Sequence, residues 1–260
     1  MNCPYKVVLS EEFFGGIMNS GIYSALSGNI AAMKRLDVLS NNLANANTAG
    51  FKKDRMTFES MLQTAGAVPK PNGGTDAPVY SETNFFTDYS AGAVKQTGNT
   101  FDLAIDGDGF FVVNTPQGRA YTRQGSFRLN AGGTLVNADG YEVLGGGPIT
   151  ITGGKVEINS RGEISVDGSQ VGTLDVVDFP KPYAFQKSGN ALFTPANPQA
   201  VPQPVQGEKV MQGFIEESNV NTVQEMVQLI ETNRYFEFCS KAVKAYDDLA
   251  GKAANEIGKI

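Results

Sequence analysis

The sequence has no histidine among its 260 residues, and this absence removes much familiar enzyme chemistry. Nucleophiles activated by histidine, zinc sites with histidine ligands and histidine proton shuttles are all excluded. Cysteine is nearly as scarce, since the chain has Cys3 and Cys239 alone. Two thiols near opposite ends form neither a four-thiolate zinc site nor a framework of several disulfides. We expect Cys239 to be a small buried hydrophobe.

Positive charge and long apolar runs are also lacking. The formal net charge of -6 argues against a nucleic-acid partner, because binding to phosphates needs clustered Lys and Arg. No apolar run reaches the length of about 18 residues that a transmembrane helix requires. Residues 1–17 make a poor secretory signal, because the apolar run at 7–9 is short and Glu11 and Glu12 follow it. We therefore predict no nucleic-acid partner and no transmembrane segment.

Apolar residues recur at helical spacing near the N-terminus, over residues 19–47. Asn29 and Ser40 interrupt this stripe, as polar residues do in coiled coils where register matters more than stability. Gly50 is expected to end the helix in a left-handed conformation. The stripe predicts an amphipathic helix with a coiled-coil-like seam, which includes Ile22, Leu26, Met33, Leu36, Leu39 and Leu43.

The periodicity changes twice after this helix. Residues 51–100 are predicted to be extended and irregular, whereas residues 101–179 alternate with period two between turn-forming residues, as in antiparallel strands. Six prolines predict a loop-rich return segment over residues 180–213. Thr222 and Glu225 have the spacing of a capping box and predict the start of a long C-terminal helix. Its apolar stripe includes Val223, Val227, Ile230, Val243 and Tyr246.

The predicted fold class is α+β, with long N- and C-terminal helices that pair as a coiled-coil-like core domain and an inserted antiparallel all-β domain. Two such helices leave apolar surface that the β domain does not obviously cover, which is typical of a partner interface. Identical neighbours in a head-to-tail arrangement would generate a helical filament. The predicted parts are a non-native or disordered extension at 1–17, an axial helix at 18–50, a linker at 51–100, a β domain at 101–213 and a second axial helix at 214–260.

The sequence around Met18 suggests that the native chain starts at this residue. Gly15 and Gly16 can be encoded by a purine-rich stretch that resembles a ribosome-binding site, and the helical pattern begins directly after Met18. A short disordered tail explains the same residues almost as well. Mass measurement of the protein from its native source distinguishes these two interpretations.

Three sequence motifs together resemble the flagellar rod and hook protein family. SGIYSALSG at 20–28 with LDVLSNNLANANTAGFK at 36–52 resembles the N-terminal motif of that family. LAIDGDGFFVV at 103–113, YTRQGSF at 121–127 and LVNADGY at 135–141 resemble its central β module. ESNVNTVQEMV at 217–227 is similar to its C-terminal helix motif. The three motifs occur in the expected order and cover most of the chain from Met18 onward.

The resemblance implies a structural subunit of the rod that crosses the periplasm in the flagellar basal body. It implies export by the flagellar type III apparatus without a cleaved signal peptide, and association with other rod and axial proteins and with further copies of this chain. Residues 86–98 and 145–172 resemble the proximal type of rod subunit more than the distal type. The single short β module differs from hook proteins, which carry an additional outer domain.

The expected functional residues are those of an assembly interface, with no catalytic residue, cofactor or metal. Four asparagines near the end of the first helix are open to two interpretations, namely local capping and hydrogen bonds to neighbouring subunits. The predicted interface consists of Ile22, Leu26, Met33, Leu36, Leu39, Asn41, Asn42, Leu43, Asn45, Asn47, Asn219, Asn221, Val223, Val227, Ile230, Val243 and Tyr246.

A secreted carbohydrate-binding protein or enzyme with a β fold is the alternative from a different class. Asp175 and Asp178 are its candidate paired carboxylates, although nothing in the sequence places them across a pocket. Asp106 and Asp108 begin like a calcium loop, but Phe110 occupies the next ligand position and no Glu closes the loop. A turn is the expected structure there.

Overall fold

The computed structural model of the protein describes residues 12–62, 79–189, 191–197, 199–205 and 210–257. Within these ranges, helix α1 spans Glu12–Ala44 and helix α2 spans Thr222–Ile257. The chain divides into two compact units. The first unit contains the described residues up to Asn41, then Asp54–Phe86, and then the chain from Val223 onward, whereas the second contains Asn42–Lys53 and Thr87–Thr222.

Strands β1 (Asp54–Leu62) and β2 (Val79–Thr87) pair with each other. The remaining described strands follow in chain order. They are β3 Val94–Gln96, β4 Leu103–Ile105, β5 Phe110–Thr115, β6 Gly118–Thr122, β7 Arg128–Leu129, β8 Leu135–Val136, β9 Glu142–Val143, β10 Val156–Ile158, β11 Glu163–Val166, β12 Ser169–Thr173, β13 Val176–Asp178, β14 Phe185–Lys187, β15 Leu192–Pro195, β16 Gln203–Pro204, β17 Val210–Gln212 and β18 Phe214–Glu216.

Helix α1 begins earlier and ends earlier than the sequence pattern predicts. It begins at Glu12, before Met18, and it ends at Ala44. Beyond Ala44 the backbone continues in turns, in which the Thr48 amide donates to the Asn45 carbonyl at 3.1 Å. Gly50 has the expected positive φ of 68°, but it lies six residues past Ala44 and therefore does not cap the helix. Residues 1–11 lie outside the described residues, so the proposed extension stays a prediction.

Residues 51–100 contain more regular structure than the irregular linker that the sequence predicts. Strands β1 and β2 form a two-stranded sheet, and β3 pairs antiparallel with β18. Asn84, Phe85 and Phe86 are consecutive in β2 and all are exposed. A strand exposed on both faces lacks the alternation between apolar and polar residues by which strands are recognised, so this pair of strands was not predicted.

The predicted antiparallel β domain is confirmed. In the described part of the chain, its main sheet has the strand order β14-β15-β6-β5-β9-β8-β7, with β13 pairing with both β5 and β16. Strands β10, β11 and β12 form a separate antiparallel sheet, and β17 pairs with β4. The positive φ angles at Gly107, Gly140 and Gly162 match the turns that the sequence predicts.

Strand β5 is buried on both faces, and it separates two apolar clusters. Phe111 and Val113 lie in the larger cluster, together with side chains from most of the surrounding strands. Phe110 and Val112 point to the opposite face and join a smaller cluster that contains Tyr121. Because side chains alternate along a strand, this placement follows directly from the continuous apolar run of β5.

Three turns of the β domain share one arrangement, in which an asparagine side chain organises the loop. At Asn130, Asn137 and Asn159 the Oδ1 atom accepts hydrogen bonds from the amides two and four residues later, over 2.8 to 3.1 Å. The residue three positions later is in each case a glycine with positive φ. Aspartate and asparagine favour such turns because their short side chains reach nearby backbone amides.

We expect Asn137→Ala to destabilise the β domain by about 1 to 3 kcal/mol, because two backbone amides lose their acceptor in a buried place. Asn137 is fully buried. Urea unfolding followed by circular dichroism measures the effect. Asn114→Ala, at an exposed position of β5, is the matched control, and an equal loss of stability in both variants would contradict the prediction.

Gly50→Ala should destabilise the protein clearly more than Gly146→Ala. Both glycines have positive φ, at 68° and 74°, so the cost of a left-handed Ala, roughly 1 kcal/mol, is common to the two variants. A Cβ at Gly50 would lie 2.3 Å from the Gln124 backbone nitrogen, whereas nothing lies within 4 Å at Gly146. The same unfolding measurement tests this difference. Equal losses of stability in the two variants would show that the backbone around Gly50 moves to make room for the Cβ.

Candidate assembly surface

Helix α1 exposes large apolar side chains along one stripe. Leu26, Ile30 and Met33 follow each other at spacings of four and three, and they are 43%, 48% and 53% exposed. Ala31, Ala32 and Leu39 are buried instead. Of the predicted interface residues, Leu26 and Met33 therefore lie at the surface of the subunit, Leu39 lies inside, and the half-buried ones are Ile22, Leu36 and Leu43.

Helix α2 exposes a second apolar stripe near its start. Val223, Val227 and Ile230 are 74%, 50% and 54% exposed, and Met226 lies beside them. Val243 and Tyr246 are half-buried. Residues at positions i, i+3, i+4 and i+7 lie on one face of a helix, so these four side chains form a continuous apolar patch. The list of predicted interface residues omitted Ile30 and Met226, although their spacing already placed them on these stripes.

The two helices contact each other through small and polar residues. Asn29 Nδ2 donates to Ser240 Oγ at 3.3 Å. A Cβ added at Gly28 would lie 3.0 Å from the Tyr235 hydroxyl and 3.2 Å from Cys239 Sγ, so the helix backbone approaches α2 closely at this point. Cys239 is buried, which confirms the expectation for this thiol. The large apolar residues of both stripes remain outside this contact.

The asparagines of the predicted interface occupy different environments. Asn41 and Asn47 are exposed, Asn45 is half-buried and accepts a hydrogen bond from Thr48 Oγ1 at 3.2 Å, and Asn42 is buried. Asn45 therefore makes a local hydrogen bond in the turn that follows the helix. Asn41, Asn42 and Asn45 each make a further interaction within the subunit.

The two asparagines before α2 also differ from each other. Asn221 is exposed, whereas the Asn219 amide is used within the subunit. Asn219 Nδ2 donates to the carbonyl oxygens of Asp88 and Ser90 at 2.8 and 3.1 Å, and Oδ1 accepts from the Lys53 amide at 2.8 Å. Its side chain therefore connects segments of one subunit.

The carboxylates considered for the alternative function have structural partners. Asp175 Oδ2 accepts a hydrogen bond from the Gly146 amide at 3.1 Å, and Asp178 Oδ1 accepts one from the Tyr183 hydroxyl at 2.8 Å. Burial, with support from this bond, raises the pKa of Tyr183 above its ordinary value. Asp108 pairs with Lys181 at the surface. The geometry gives these carboxylates roles in loop structure.

Two further classes of site have no counterpart among the residues that the structure describes. There, no group of three or more Cys, Asp or Glu side chains is placed to hold a metal ion. Neither α1 nor α2 has, over its described length, the apolar character that crossing a membrane requires.

Terminal helices with exposed apolar stripes, together with an inserted antiparallel β domain, are features of a structural subunit. Comparison with known families agrees with this class. The family of the flagella basal body rod protein matches residues 22–52, the D1 domain of the flagellar hook protein FlgE/F/G matches 104–166, and the C-terminal region of the flagellar basal body rod FlgEFG protein matches 211–256.

Individual relatives match along nearly the whole chain. The flagellar basal-body rod protein FlgF of Rhizobium meliloti is 38% identical over 248 residues, which cover 93% of this chain and 99% of the relative. The flagellar basal-body rod protein FlgG of Bacillus subtilis is 36% identical over 264 residues, with 92% and 99% covered. FlgF of Caulobacter vibrioides is 36% identical over 249 residues, with 94% and 100% covered. The chain belongs to the flagellar basal-body rod protein family.

Proposed function

We propose that this protein is a structural subunit of the flagellar basal-body rod, which assembles through the apolar stripes of α1 and α2 and carries out no catalysis. The observation that carries the proposal is the exposure of large apolar side chains at helical spacing, including Met33 and Ile230, in a chain of this family. The partners are further copies of this chain and other rod and axial proteins, in a helical assembly.

Burial of the stripes supplies the driving force for this assembly. Removal of apolar surface from water contributes about 25 cal/mol per Å², so each fully covered Leu, Ile or Met contributes roughly 1.5 to 3 kcal/mol. The α1–α2 contact within one subunit uses Gly28 and Asn29 and leaves Ile30 and Met33 free to bury against neighbours. Coiled-coil-like pairing of the helices belongs to the same proposal, and the Asn29–Ser240 hydrogen bond supports a defined register.

The mechanical role follows from this kind of assembly. Protein interiors are packed as densely as organic crystals and resist compression, so helices that interdigitate along a shaft carry torsional load between subunits. We place the protein in the rod between the motor and the hook, where torque passes through it. Delivery through the flagellar type III export apparatus, without a cleaved signal peptide, belongs to the same proposal and is supported by the similarity to this family.

Within the rod we assign this subunit to the proximal, FlgF type. The relatives named FlgF and FlgG match to similar degrees, at 38% and 36% for the two described above. The assignment therefore rests on residues 86–98 and 145–172, which resemble the FlgF type more closely. Strands β10 and β11 and all but the last residue of β12 lie in the second of these segments, and the three strands form one antiparallel sheet.

Cells that carry Met33→Asp together with Ile230→Asp should lack complete rods and should be non-motile. Both positions are exposed in the single subunit, so the free energy of unfolding should change by less than about 0.5 kcal/mol for each substitution. In the assembled rod each Asp would bury an unpaired charge, at a cost of several kcal/mol. Motility assays and electron microscopy of basal bodies give the readout in cells, and urea unfolding measures the purified subunit.

Gln224→Glu is the control for the charge itself, since this exposed α2 residue lies about 120° around the helix from Ile230, away from the apolar stripe, and the substitution also replaces a neutral side chain by a negative one. This variant should build normal rods. Normal basal bodies in the Met33→Asp, Ile230→Asp double variant would contradict assembly through these stripes.

Labelled basal bodies test the assignment to the proximal rod. Gln117 is exposed in the β5–β6 turn and accepts replacement by Cys, while Cys239 is buried and Cys3 is replaced by Ser. Gold attached at position 117 should lie in the part of the rod nearest the motor in electron micrographs of intact basal bodies. Gold in the part nearest the hook would assign the protein to the distal, FlgG type instead.

A further inference from the structure

The second unit contains a lysine that the proposed function does not use. Lys52 is 1% exposed, and its Nζ atom donates to Glu216 Oε1 at 2.5 Å and to the Ser90 carbonyl at 2.8 Å. Glu216 is 2% exposed. A buried ammonium group is rare in proteins and requires a partner of opposite charge.

Arg123 is a second cation at the same carboxylate. Its Nη1 atom lies 3.5 Å from Glu216 Oε2 and donates to the Ile105 carbonyl at 3.3 Å, and its Nη2 atom donates to the Gly107 carbonyl. Burial lowers the pKa of Lys52 below its ordinary value, while attraction by Glu216 opposes this change. Glu216 therefore compensates two cations that have little access to water.

This ion cluster holds together three chain segments that are far apart in sequence. Residues 50–53 follow α1, residues 88–93 follow β2, and residues 213–219 lead into α2. The Gly50 amide donates to the Glu216 carbonyl at 2.7 Å, and the Gly92 amide donates to Glu216 Oε1 at 2.9 Å. One residue, Glu216, thus receives bonds from both other segments.

Backbone contacts and Asn219 reinforce the same meeting point. Lys53 and Asp88 are joined through the Asn219 amide, and the Asn219 backbone amide donates to the Phe51 carbonyl at 3.3 Å. A Cβ added at Gly92 would lie 1.9 Å from the Glu217 carbonyl oxygen, so two of the segments are in direct backbone contact there. The three segments therefore share hydrogen bonds, ion pairs and steric fit.

A buried ion pair contributes little net stability relative to apolar side chains of the same volume, but removal of one partner leaves an uncompensated charge. The burial of Lys52 is therefore conditional on the presence of Glu216, which lies 164 residues later in the chain. Without that carboxylate the buried ammonium group is uncompensated, which lowers the cost of the opening that returns it to water together with residues 50–53.

We propose that Lys52, Glu216 and Arg123 form an ionic clasp that makes the docking of residues 50–53 and 88–93 conditional on residues 213–219. The three segments open and close together as one cooperative unit, while the main sheet remains folded. Local opening that costs less free energy than global unfolding is a general property of proteins. In this protein the clasp determines which segments open together.

Amide hydrogen exchange of the full chain tests the clasp. In Glu216→Gln, exchange at Gly50, Lys53 and Gly92 should accelerate by about 100-fold, because the neutral amide no longer compensates Lys52. Exchange at Val112 and Leu135, whose amides bond within the sheet region, should change by less than about threefold. The matched control is Glu217→Gln, which removes a neighbouring carboxylate from an exposed pair with Lys95.

Each outcome decides the proposal. Unchanged exchange at Gly50 and Gly92, acceleration of the same size at Val112, or an equal effect of Glu217→Gln would overturn it. Asn219→Ala is a second test, which leaves the ion pair between Lys52 and Glu216 in place. It is used if the Glu216→Gln variant does not fold. Asn219 bonds through its side chain to Lys53, Asp88 and Ser90, yet cooperative opening predicts faster exchange at Gly50 and Gly92 too. Acceleration confined to Lys53 would show that the segments open independently.

Discussion

The burial of the Lys52 ammonium group against Glu216 is the constraint on which the arrangement of the segments that flank the β domain depends. A charge removed from water requires a partner, and the partner here arrives from the end of β18, far along the chain. The segments before and after the β domain consequently meet at one place. Glycine is required at positions 50 and 92 because the backbones of neighbouring segments leave no room for a side chain there.

The helices of the first unit differ, because many of their large apolar side chains are not buried within the subunit. Their mutual contact uses Gly28, Asn29 and Ser240, and the large apolar side chains, such as Met33 and Ile230, lie outside it. Since most helical stability in proteins comes from tertiary packing, the proposed assembly would supply part of the stability of these helices. The β domain, in contrast, has apolar clusters on both faces of β5 and contains its own core.

Local patterns predicted much of this organisation. The alternation in residues 101–179 and the turn glycines indicated the antiparallel β domain, and the helical spacing indicated α1 and α2 with their apolar stripes. The pair of strands β1 and β2 was missed because Phe85 and Phe86 are exposed at successive positions and show no alternation. The end of α1 at Ala44 was missed because the Asn-rich turns that follow continue the apolar spacing for a few residues.

The sequence by itself determined the periods of the helices and strands, the asparagine turns at Asn130, Asn137 and Asn159, and membership of the flagellar rod family. These features depend on residues within a few positions of each other or on motifs in fixed order. Only the tertiary structure decided that Lys52 is buried and that Asn219 joins segments of its own subunit. A lone Lys and a lone Asn carry no local signal of their distant partners, because those contacts arise only when the folded sheet brings the segments together.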